Sequence, residues 1–165
     1  MKISVLLDTS FLISLNNDDR PNHKTAKQYY KYLLEQNIPI YFSSIVAAEF
    51  AIKEPITDLP LKNFRILPFN IPDSIESATI WNLLGGHTPG DNRGVARDDV
   101  KIIAQALREG IPFILTEDAR TLHRDCTRLR GLGKNITAIA LKNGFDSSAL
   151  RPDGQKDIDA FVSPV

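Results

Sequence analysis

Apolar and polar positions alternate in two registers along the chain. Ile3–Leu7 is a short, partly β-branched run that stops at Asp8-Thr9-Ser10, which predicts a buried strand feeding a helix. Phe11, Leu12 and Leu15 then recur at helical spacing as far as the polar break Asn16 to Pro21. A second helix follows, with Ala26, Tyr29, Tyr30 and Leu33 on one side and lysines on the other. Pro39 to Phe42 reads as a strand, and Ser43-Ser44 as the cap of a helix through Ile45, Ala48 and Ile52. Three prolines between Pro55 and Pro68 interrupt any long element, although Phe64 to Phe69 predicts a short strand. Asp73 reads as the cap of a helix whose apolar face is Ile75, Ala78 and Leu83, with Trp81 packed nearby. Glycine, proline and polar residues from Gly85 to Gly94 predict a mobile loop. Val95 to Arg108 predicts a helix closed by Gly110, Ile111 to Leu115 a strand, and Ile136 to Leu141 the last strand.

Strands alternating with helices, without tight hairpins, predict a three-layer α/β/α fold around a central, mainly parallel sheet. In such sheets a ligand site lies beyond the carboxyl ends of the strands. The length of 165 residues suits one domain, read as residues 1–145 with a polar tail of unassigned structure over 146–165. Cys126 is the only cysteine, so no internal disulfide and no cysteine-held metal is expected. The apolar runs are too short to span a membrane and no basic leader precedes them. A soluble, cytoplasmic protein is the expectation. Twenty Lys and Arg balance twenty Asp and Glu, so any nucleic-acid site has to be local.

Four acids stand out. Asp8 and Asp118 each follow a predicted strand, where a helix cap would also explain them. Glu49 lies four residues after Ile45 and three before Ile52, on the expected apolar stripe of its own helix. Asp99 precedes Ile102, Ile103 and Ala106 by three, four and seven residues. The helix dipole favours an acid in a first turn but does not set its phase. A charge on a core-facing side costs several kcal/mol unless it is paired or binds a cation. Converging acids without matching lysines repel one another, and a divalent cation removes that repulsion. All-oxygen ligands favour magnesium, manganese or calcium over zinc. His23, His87 and His123 are scattered and offer no competing ligand pattern.

With these residues in view, the chain resembles the PIN-domain family, and within it the VapC-like toxins of bacterial toxin–antitoxin pairs. The resemblance rests on Leu7-Asp8-Thr9-Ser10-Phe11-Leu12, on Ser43 to Phe50 around Glu49, on Asp99 to Ala106, and on Ile114 to Asp118. It implies a PIN-like nuclease domain in which Asp8, Glu49, Asp99 and Asp118 are catalytic and ligate one or two Mg2+ or Mn2+ ions. A metal-activated water would cleave single-stranded RNA. Thr9 or Ser10 would hold Asp8 or a substrate phosphate, with Asp98 a neighbouring acid. The implied partners are RNA, an antitoxin protein and a second copy in a homodimer, with no membrane. Three departures stand against the family pattern: the Gly85 to Gly94 insertion, the tail after Phe145, and Ala119-Arg120-Thr121-Leu122 where another acid or asparagine and a phenylalanine are usual.

Arg120, Arg124 and Arg128 repeat every four residues, with Leu122, Cys126 and Leu129 on the other side. Residues 119–130 therefore read as an amphipathic helix whose arginines, extended by Arg130 and Lys134, face RNA phosphates or simply solvent. Other functional readings stay open. A DNA-directed or flap-type nuclease would use the same acids. A non-catalytic PIN interaction module commonly loses acids, whereas all four are present here. An aspartyl-phosphate chemistry at Asp8 would require an acid at position 10, which is Ser10.

Overall fold

In the computed structural model, which describes residues 2–118 and 120–151, the predicted strands meet edge to edge. β1 (Val5–Leu7), β2 (Ile40–Ser43), β3 (Arg65–Leu67), β4 (Phe113–Thr116) and β5 (Thr137–Ala140) form one sheet in the order β3-β2-β1-β4-β5. Every neighbouring pair is parallel. The burial follows the order: β1 and β4 are fully buried, while the edge strand β3 leaves Ile66 half exposed. The helices α1 (Thr9–Asn16), α2 (His23–Glu35), α3 (Ser44–Lys53), α4 (Ile71–Leu83), α5 (Arg93–Arg108) and α6 (Thr121–Gly131) complete the α/β/α arrangement. The chain builds outward from β1 to β3, then returns to the other side of β1 for β4 and β5. That reversal opens a crevice at the carboxyl ends of β1 and β4, which are aligned by Val5 opposite Phe113 and Leu7 opposite Leu115.

Several elements differ in detail from the sequence expectation. In α3 the buried stripe is Val46 and Phe50, while Ala48 and Ile52 are exposed. Glu49 and Ile52 border the crevice instead of the core, so Glu49 reaches the site for a different reason than expected. α4 is capped by Asn70, and Asp73 is the reciprocal partner of a capping box. Its buried residues are Asp73 and Ile80, whereas Ile75, Ala78 and Leu83 face solvent. The Asp73 carboxylate, only 2% exposed, is compensated by the Arg108 guanidinium at the far end of α5. α5 begins two residues before Val95, because the Asn92 side chain accepts from the Gly94 and Val95 amides. Beyond Phe145, Ser147–Leu150 forms a 3₁₀ turn that buries Leu150, so core packing continues past residue 145. The rest of the expected tail, residues 152–165, lies outside the described residues.

Candidate functional site

Asp8 is the first residue beyond β1 and the N-cap of α1. One carboxylate oxygen accepts from the Thr9 amide at 2.7 Å, and the other accepts from the Ser10 hydroxyl at 2.9 Å and the Thr116 hydroxyl at 2.8 Å. Those hydroxyls in turn accept from the amides of Glu117 and Asp118, each at 2.9 Å. The turn after β4 is thereby clipped to the turn after β1. Glu49 enters from α3 and accepts from the Thr9 hydroxyl. Asp118 caps its own turn by accepting from the Arg120 amide at 2.7 Å. The Thr121 hydroxyl lies 2.9 Å from an Asp99 oxygen and 2.7 Å from an Asp118 oxygen. All four acids border one open cleft of about 400 Å³, together with Asp98, Arg20 and Lys53.

Charge is poorly compensated here. Burial is the largest force raising Asp8 above the ordinary carboxylate range, and Asp118 adds to it against the three hydrogen bonds that lower it. Burial also raises Glu49, with Asp8 and Asp98 pushing the same way. Asp99 is pushed up to about 8, first by burial and then by Asp8, Asp118 and Asp125. None of Asp8, Glu49, Asp99 and Asp118 makes an ion pair with another described residue. Asp98 differs, since Lys101 sits 3.0 Å from it on the same helix. Its neighbour Asp99 is buried against the other acids and reaches Asp118 through Thr121.

Among the described residues no three acidic, histidine or cysteine side chains are gathered tightly enough to form a finished ion cage. The donor chemistry nonetheless fits a hard divalent cation. The candidate donors are all carboxylates, none of them is ion-paired within the described residues, and the open cleft leaves room for the water that Mg2+ retains.

Thr9 and Ser10 thus hold Glu49 and Asp8. The arginine face is used otherwise than expected. Arg124 forks onto Asp91, at 3.3 and 2.7 Å, and also donates to Asp125 at 3.1 Å. Arg128 donates to the Leu84 carbonyl at 2.8 Å. Both fasten the segment between α4 and α5 onto α6, so they form no common cationic surface with the exposed Arg120. Ala119, where that helix was expected to begin, lies outside the described residues, and α6 starts at Thr121. The histidines are elsewhere: His23 contacts the Ser14 carbonyl and His87 the Asp91 carbonyl. Sequence reasoning passed over Arg20, Lys53, Thr116 and Thr121. The only signal for Thr116 was a hydroxyl at the end of a buried strand, facing the same edge as Asp8.

A family model of the PIN domain matches residues 5–125, a span that contains all four acids. The chain belongs to the PIN-domain family. Among solved structures it is similar to FitAcB from Neisseria gonorrhoeae, with 19% identity, a TM-score of 0.58, and coverage of 84% of this chain and 98% of that one. It is also similar to VapBC2 from Rickettsia felis bound to a promoter DNA fragment, with 16% identity, a TM-score of 0.57 and the same coverages. A third is Mycobacterium tuberculosis VapC20, a toxin that cleaves the sarcin–ricin loop, with 19% identity, a TM-score of 0.53, and coverage of 72% and 92%. At these identities the likeness establishes a PIN fold. No curated protein sequence matches the chain.

Proposed function

We propose that this PIN protein is an endoribonuclease dependent on Mg2+ or Mn2+, and the toxin of a toxin–antitoxin pair. The observation that carries the reading is the set Asp8, Glu49, Asp99 and Asp118. Four acids from separate parts of the chain border one cleft at the switch point of the sheet, three of them held above the ordinary carboxylate range and none ion-paired within the described residues. A purely structural acid finds a partner, as Asp73 does in Arg108.

Asp8, Glu49, Asp99 and Asp118 would hold the ion, which when bound supplies positive charge to polarise a water and a phosphoryl oxygen. The remaining chemistry belongs to the chain. Ser10, Thr116 and the Thr9 amide fix the orientation of Asp8, and the Thr9 hydroxyl holds Glu49. Arg20 and Lys53 are the cations that border the cleft and can meet substrate phosphates there. A substrate strand must enter an open cleft, which suits unpaired RNA in preference to a duplex. The similarity to VapC20 and to the VapBC2 and FitAcB proteins supports RNA as substrate and an antitoxin as partner. The test is cleavage of a single-stranded RNA by purified protein with Mg2+, with Mn2+ and with excess EDTA. Cleavage only with the cations is expected, and undiminished cleavage in EDTA would overturn the metal mechanism.

A further inference from the structure

Thr121 opens α6, yet its hydroxyl does nothing for its own helix. The N-cap residue Arg120 makes no side-chain cap, and Asp118 accepts from the Arg120 amide in the turn just before the helix. A threonine near a helix end ordinarily spends its hydroxyl on nearby backbone. Here the hydroxyl lies between Asp99, 22 residues away on α5, and Asp118 on the turn after β4. The two carboxylate oxygens can be no further apart than the 2.9 and 2.7 Å contacts allow together. The hydroxyl has one proton, so it donates to one of these carboxylates at a time and links them by alternating between two acceptors that both lie within its reach.

We propose that Thr121 is a positioning residue: its hydroxyl holds Asp99 and Asp118 side by side, so that their half of the site is set before a cation arrives. This rests on the reading of the acids as ion ligands. Ligands oriented by an outer hydrogen bond lose less freedom on binding, and loss of such a partner typically lowers ion affinity about 10- to 100-fold. Valine has the shape of threonine but puts a methyl group against both carboxylates. Serine keeps the hydroxyl.

The experiment is a titration of the full-length protein with Mn2+, in which free ion is followed by electron paramagnetic resonance. Wild type, Thr121→Val, Thr121→Ser and Thr121→Ala are compared, and thermal unfolding in EDTA is measured for each. Thr121→Val should bind Mn2+ about 10- to 100-fold more weakly, with Thr121→Ser within about threefold of wild type. If Thr121→Val does not fold, the serine and alanine variants decide the matter: serine near wild type with alanine weak supports the proposal, and equal affinities overturn it. Wild type that binds Mn2+ no more tightly than Thr121→Val also overturns it while leaving the metal reading intact. Wild type that binds no Mn2+ overturns the metal reading and this inference with it.

Discussion

Two groups of buried and half-buried acids flank α5 and α6, and they are treated in opposite ways. Asp73, Asp91 and Asp125 each lie against a guanidinium: Arg108 for the first, Arg124 for the other two. Asp8, Glu49, Asp99 and Asp118 have hydroxyls, amides and one another. The hydrogen bond from Arg124 holds Asp91 below the usual carboxylate range. Burial raises Asp125, but Arg124 and Arg128 pull it back. In the cleft, burial and neighbouring acids act together on Asp8, Glu49 and Asp99. An acid with an arginine holds the fold together. Acids that share only hydroxyls keep their attraction for a cation that the chain itself does not supply.

The largest expected contrast follows from removing one charge from each group. Asp99→Asn should lower RNA cleavage at least about 100-fold, since even outer-shell changes at metal sites cost 10- to 100-fold. Its metal-free melting temperature should equal that of wild type near neutral pH, where the buried acid keeps its proton, and exceed it above about pH 8, where the near-isosteric amide removes repulsion from Asp8 and Asp118. Saturating Mn2+ should then stabilise wild type more than the variant. A lower metal-free melting temperature with retained cleavage would make Asp99 structural and send the search to Asp98. In the other group, Arg124→Ala should destabilise the fold by about 2 kcal/mol in urea denaturation, since it strands Asp125, which is 4% exposed. Residual cleavage per folded molecule should be close to wild type. An Arg124→Ala protein as stable as wild type would erase the distinction between the two groups.

Proton linkage sharpens the same contrast. Asp99 is raised to about 8 in the folded protein, far above the ordinary carboxylate value of the unfolded chain. Between those two values the folded state binds the extra proton, so metal-free stability is greatest in mild acid and falls as pH rises through about 8. The slope can reach about 1.4 kcal/mol per pH unit for one such proton. Chemical denaturation in EDTA from pH 5 to pH 9 measures it. Asp99→Asn should flatten the profile, whereas Asp91→Asn should not. A flat wild-type profile would mean that the cleft acids are already compensated.

Much of the fold was legible because its signals are local. Strand runs such as Ile111–Leu115, the Asp8 and Ser43 caps, and the stripe of Ile102, Ile103 and Ala106 need no knowledge of neighbours. Asp8 and Asp118 were legible as strand-end acids for the same reason. Glu49 was reached through a stripe that the structure places on the cleft side, with Val46 and Phe50 turned to the core instead. In so short and so uniformly apolar a helix, sequence does not say which apolar side is buried. The α4 face failed similarly, because Asp73 is held inside by Arg108, a pairing 35 residues away that no local pattern announces. Arg124 and Arg128 looked like a solvent-facing series for want of the same information. Whether a spaced arginine meets RNA or an aspartate depends on which loop folds over it.

The smallest expected effect concerns which cations meet the substrate. Arg20 and Lys53 border the acid cleft, whereas Arg124 is spent on Asp91 and Asp125. Arg20 is already partly neutralised by Glu117 at 2.6 Å, and Lys53 makes no ion pair with another described residue. Lys53→Ala should therefore weaken single-stranded RNA binding more than Arg20→Ala, by roughly three- to tenfold at low salt. Removing a cation that meets one phosphate should also reduce the salt slope of log affinity by about 1. Fluorescence anisotropy of a labelled RNA on an Asp99→Asn background gives affinity without cleavage. Arg124→Ala should leave the salt slope unchanged, because a guanidinium held between two carboxylates releases no phosphate counterions. If Arg124→Ala reduced the slope and Lys53→Ala did not, RNA would lie over α6, and the two acid groups would have to exchange the roles assigned to their cations.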